Sequence, residues 1–150
     1  MTGGPARSRR DRGSTAIELA ILAPSVLAFF VTALIAGRYS LAQQAADAAA
    51  FDAARTASLA RTEPEARSQA RTAALASFAA QGVECRTPAT ADVDTDGFRV
   101  DEGQPATVSV TVHCDLEFRD ISLPFLPRSL GTIELSSSFV SPLDTYRSRS

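Results

Sequence analysis

Apolar residues fill the chain from Ile17 to Ala36 almost without a break, and the pattern changes on both sides of that run. The run is 20 residues long, and Glu18 is its only charge. At about 1.5 Å per helical residue it reaches roughly 30 Å, the thickness of a bilayer's hydrocarbon core. The pattern predicts a membrane-spanning helix. Thr15-Ala16-Ile17-Glu18 reads as an S/T-x-x-E capping box, so the helix is expected to begin at Ser14. Glu18 is also favoured by the positive end of the helix dipole. Pro24 cannot donate to the Ala20 carbonyl and is expected to kink the helix. Ala33 and Gly37 form a small-xxx-small pair suited to close helix contact, and Tyr39 stands where an outer interfacial aromatic belongs.

Helical periodicity continues past the apolar run. Ala42, Ala46, Ala49, Ala53, Ala57 and Ala60 recur at spacings of three and four. They make a seam along which another helix can approach closely. Leu41 and Phe51 add larger apolar contacts, and Asp52 is placed to pair with Arg55. The pattern predicts one nearly continuous helix from Ser14 to about Leu59. Thr62-Glu63-Pro64-Glu65 is a second capping box with proline in the first turn, so a new helix starts there. It runs to about Gln81 and stops at Gly82.

From residue 83 the period changes to two. Val108, Val110, Val112, Cys114, Leu116 and Phe118 alternate with Thr107, Ser109, Thr111, His113, Asp115 and Glu117, a strand with one apolar face. Gly131 to Val140 reads as a second strand with Ile133, Leu135 and Phe139 on one side. Phe98 and Val100 suit a short third strand, and Val83 with Cys85 a fourth. Ser122 to Pro127 is expected to be a loop, because its two prolines would interrupt a ladder. Together these elements predict an α+β fold: a long N-terminal transmembrane and stalk helix, a second Ala-rich helix and a small antiparallel sheet.

Charge orients the membrane segment. Arg7, Arg9, Arg10 and Arg12 against Asp11 give the first 13 residues +3, so with −2 overall the remainder carries −5. Arginines beside a helix end stay cytoplasmic, which places the N-terminus inside and everything after Arg38 outside. A removable secretory signal fits less well, since the apolar run exceeds a typical h-region and no convincing small-x-small site follows it. Mean hydropathy is near zero because an apolar anchor is averaged with a polar remainder. Outside the leader there is no basic stripe, so nucleic acid is not an expected partner. The organisation read from the chain is a basic leader (1–13), a transmembrane helix (14–37), Ala-rich extracytoplasmic helices (38–81) and a small β-rich extracytoplasmic domain (82–150).

Candidate chemistry is sparse. Cys85 and Cys114 both fall on apolar strand faces in the compartment assigned as outside, where disulfides persist. Bridging them closes a loop of about 30 residues, worth about 3 to 4 kcal/mol in the chain-entropy model; the alternative is two buried free thiols. Asp92-Val93-Asp94-Thr95-Asp96-Gly97 opens like a calcium loop, but its twelfth position is Gly103 and no helices flank it. A solvated turn accounts for it as well. His113 is the one histidine, so no nitrogen-rich metal site can be assembled, and no cofactor is expected. No nucleophile–base arrangement is specific enough to predict an enzyme.

Gly13-Ser14-Thr15-Ala16-Ile17-Glu18-Leu19-Ala20-Ile21-Leu22-Ala23-Pro24 resembles the N-terminal signature of TadE-like proteins, minor pseudopilin-like components of Tad (Flp-type) pilus systems. Ala42 to Ala57 and the closing Ser141 to Arg147 look like later portions of the same family. The resemblance implies a pilin-like structural subunit, cut by a prepilin-type peptidase between Gly13 and Ser14. Glu18 would then stand at the fifth mature position and neutralise the new amino terminus during assembly. Implied partners are the membrane, other pilus or pseudopilin subunits and assembly platform proteins. Two further readings stay open from the residues alone: a single-pass anchored adhesive or binding domain unrelated to pili, and a small secreted calcium- or ligand-binding domain.

Overall fold

The computed structural model describes residues 10–117, 132–146 and 148. Two helices, α1 (Arg10–Leu59) and α2 (Glu63–Ala80), precede strands β1 (Thr90–Asp94), β2 (Thr107–Glu117) and β3 (Thr132–Pro142). The strands form one antiparallel sheet in the order β1-β2-β3. The fold is α+β. The chain divides into two compact units, Met1–Tyr39 and Ser40–Ser150, with α1 contributing to both.

In the first unit the large side chains have nothing to bury against. Ile17, Leu19, Ile21, Leu22, Leu27, Phe29, Phe30 and Leu34 are all more than half exposed. A surface this apolar is costly in water and suits hydrocarbon. Residues 10–18 are all helical, so Thr15 lies inside α1 and does not begin it. The expected start at Ser14 is corrected to Arg10. Once the long apolar helix exists, extending it backward needs no new nucleus, and arginines are good helix formers; Gly13 costs only about 1 kcal/mol. The helix assignment runs through Pro24 without interruption.

The second unit is built around alanine. Ala42, Ala46, Ala49, Ala53, Ala57 and Ala60 are all buried, together with Ala45, Ala50 and Ala54. This apolar face is wider than one seam because two neighbours cover it. Toward β3, Gln43 Nε2 donates to the Ser136 carbonyl (3.3 Å), Ser137 donates to Asp47 (2.7 Å), and the Phe51 and Phe139 rings meet edge-on at 4.8 Å. Toward α2, the Ser77 hydroxyl donates to Asp52 (2.9 Å) and Gln81 Nε2 donates to the Ala45 carbonyl (3.4 Å). Asp52 thus takes part in a bond between helices. The close-approaching helix that the seam called for is α2 of the same chain, through Ala66, Ala70, Ala74 and Phe78.

Helix α2 is closed at both ends as its sequence requires. The Thr62 hydroxyl accepts from the Glu65 N–H (3.4 Å), while the Glu65 carboxylate accepts from the Arg61 N–H (3.2 Å) one residue before the usual partner. At the other end Gly82 takes φ 67°. Its N–H reaches the Ala79 carbonyl and that of Val83 reaches Phe78, a Schellman closure.

In the sheet, β2 is central, and Val108, Val110, Val112 and Cys114 are buried on one face as the alternation predicts. Leu135 and Ser141 of β3 join them. Two strand expectations are corrected. Phe98 lies in a 3-10 turn (Asp96–Arg99) and is buried there, and the third strand is β1, slightly earlier. Val83 is in no strand, and Cys85 makes one isolated bridge to Leu116. Phe118, Gly131 and the expected loop Ser122 to Pro127 lie outside the described residues.

Candidate assembly site

The residues singled out for processing and assembly all stand on α1. Gly13, Ser14, Glu18 and Pro24 lie along one helix, with Glu18 about one turn beyond Ser14 and Pro24 nearly two turns further on. Glu18 is exposed, on a stretch whose neighbours are apolar and also exposed. A carboxylate so placed has no competing role in an internal core, and in hydrocarbon it would need a cation or donor from elsewhere.

The other chemistry lies in the second unit and is structural. Cys85 and Cys114 are joined in a disulfide, Cα atoms 5.4 Å apart. It ties the segment after α2 to the central strand, where the Arg86 N–H also donates to the Asp115 carbonyl at 2.7 Å. The Asp92–Gly97 segment is no continuous loop. Asp92 and Asp94 belong to β1, Asp94 accepts from the Asp96 N–H (3.0 Å), and Gly97 sits in the 3-10 turn. The strand alternation holds Asp92 and Asp94 together on the polar face of β1. His113 lies on the sheet's polar face between Asp92 (Nε2–Oδ2 3.7 Å) and Glu134 (Nδ1–Oε1 3.6 Å). Among the described residues no group of three or more such side chains converges as a metal site.

A polar junction between α2 and the 3-10 turn has no counterpart in the sequence reading. Thr95 is buried, its hydroxyl accepts from Arg67 (2.7 Å), and Glu63 bridges Thr95, Arg67 and Arg99. The i, i+4 spacing of Glu63 and Arg67 was a readable signal; the third and fourth partners come from distant sequence. Next to it, Arg71 donates to the Ala91 carbonyl (3.5 Å) on the open side of edge strand β1. A helix side chain there blunts the edge against pairing with another chain. The adjoining cleft of about 390 Å³ is lined by Arg67, Arg71, Asp92 and Asp94.

Among the described residues, fold and site define one helix long and apolar enough for a single-pass membrane anchor, continuing into a disulfide-bonded α+β unit. The family model described as TadE-like protein matches residues 13–55, so this N-terminal stretch of the chain is similar to TadE-like proteins. The match begins at Gly13, takes in Glu18 and Pro24, and ends within the alanine seam; Ser141 to Arg147 lie beyond it. No curated protein and no solved structure matches the chain.

Proposed function

We propose that this protein is a TadE-like minor pseudopilin, a structural or assembly component of a Tad (Flp-type) pilus or related secretion apparatus. The observation that carries the reading is the family match over residues 13–55, which takes in the Gly13–Glu18 spacing on a membrane-length helix. In this reading the arginine leader is cytoplasmic and the unit from Ser40 onward is extracytoplasmic, where its disulfide persists. A prepilin-type peptidase cuts after Gly13. The α-amino group of Ser14 is then exposed at the edge of the bilayer, and Glu18 neutralises it in the same or a neighbouring subunit. The role is structural and not catalytic. Because the alanine seam from Ala42 to Ala60 is filled by the chain itself, contacts with other subunits fall to the exposed apolar surface of residues 17–36.

The test is the mature N-terminus, read by mass spectrometry, together with two variants. The wild-type chain should begin at Ser14, and Gly13→Leu should stay larger by the leader. Glu18→Gln should insert in the membrane yet fail to support pilus assembly, since the amide cannot compensate an ammonium in low dielectric. Normal piliation by Glu18→Gln, or a wild-type terminus elsewhere, overturns the proposal.

A further inference from the structure

The apolar span contains three polar side chains, Glu18, Ser25 and Thr32, and they follow one another at intervals of seven residues. Since α1 is helical throughout, seven residues is two turns less about 20°, so the three share one face about 10 Å apart along the axis. Leu22 and Phe29 fall between them, and Ala36 after them, on the same face. Ala23, Leu27, Phe30 and Leu34 make the opposite side, which is wholly apolar. In the isolated chain the Ser25 hydroxyl donates to the Ile21 carbonyl (3.3 Å) and that of Thr32 to the Ala28 carbonyl (2.8 Å). Each hydroxyl oxygen keeps acceptor capacity on the outer surface, and either proton can exchange its carbonyl for a partner across an interface. Lipid offers neither donor nor acceptor, so a polar face within a span turns toward protein.

We infer that the part of this face from Leu22 to Ala36 is a parallel, left-handed contact between the membrane spans of two copies of this chain; Glu18, at the mouth of the span, lies outside it, because two facing carboxylates would repel in low dielectric. Among the described residues α1 is the one helix able to cross a bilayer, so the covering helix comes from another molecule. A second copy enters the membrane in the same direction. It brings Ser25 and Thr32 to the same depths as their counterparts, and the seven-residue period is the one a left-handed helix pair keeps in line. Small Ser25 and Thr32 alternate with large Leu22 and Phe29, so the layers interdigitate. The rival surface is the Ala33–Gly37 pair, where the space around Gly37 is open; a four-residue small pair favours a right-handed crossing instead. The contact needs the span but not removal of the leader, so it stands or falls separately from processing.

Single cysteines placed by Ser25→Cys, Phe29→Cys and Thr32→Cys in the full-length chain, oxidised in bacterial membranes, should give two-copy species. Ala23→Cys, Leu27→Cys and Leu34→Cys should not, and Val26→Cys, Ala33→Cys and Gly37→Cys on the rival surface should give less. Energy transfer between labelled full-length chains in liposomes adds a second readout. Association of the Ser25→Ala/Thr32→Val chain should weaken about three- to tenfold, while Leu27→Ala/Leu34→Ala stays within about twofold. Four results overturn the inference: equal cross-linking on both faces, no two-copy species, cross-links favoured at Val26, Ala33 and Gly37, or unchanged association of the Ser25/Thr32 variant.

Discussion

At the scale of single residues, close packing decides more than charge does. Gly97 lies in the 3-10 turn, and a Cβ added there would overlap the Thr107 carbonyl and come within 3.1 Å of Leu143 Cδ1. The carbonyl belongs to the first residue of the central strand and cannot swing aside as a flexible side chain would. Gly97→Ala should therefore destabilise the second unit by about 1–3 kcal/mol, seen as a lower urea midpoint for the detergent-solubilised protein. The Asp-Gly pair was legible as a turn. Its role as the point where a turn presses on β2 was not, because Thr107 and Leu143 are far from it in sequence.

Among elements, α1 shows how one helix serves two environments through composition alone. Large apolar residues cover residues 17–36, while alanines fill the face from Ala42 to Ala60. The small side chains let α2 and β3 both lie close to the helix, and that closeness leaves no room for a larger residue. Ala53→Leu should lower stability by about 1–3 kcal/mol, whereas Arg55→Leu, on the exposed side, should stay within about 0.5 kcal/mol. Thermal unfolding followed by circular dichroism distinguishes the two. The seam itself was readable from its spacing. What covers it was not, since a three-and-four periodicity fixes a face and leaves its partner open.

For the whole molecule, the disulfide cross-links the segment after α2 to the central strand of the sheet. With so much of the core made of alanine, each residue contributes little apolar area, and a cross-link carries a larger share of the stability. Reducing Cys85–Cys114 should cost about 3 kcal/mol, measured as the drop in unfolding midpoint on adding reductant. Thiol labelling of the denatured, unreduced protein should find no free cysteine. The sequence alone determined the membrane-length helix, the second helix with its caps, the central strand and the TadE-like signature. Each of these rests on local pattern: an unbroken apolar run, capping residues at fixed offsets, or strict alternation. Tertiary structure decided that Asp92 and Asp94 join a strand instead of a loop, and that Phe98 is buried from a turn. It also decided that Asp52 answers Ser77, that Thr95 is held by Arg67 and Glu63, and that α1 extends back to Arg10. These outcomes depend on partners dozens of residues away, or on a helix already nucleated elsewhere, and no local window contains them.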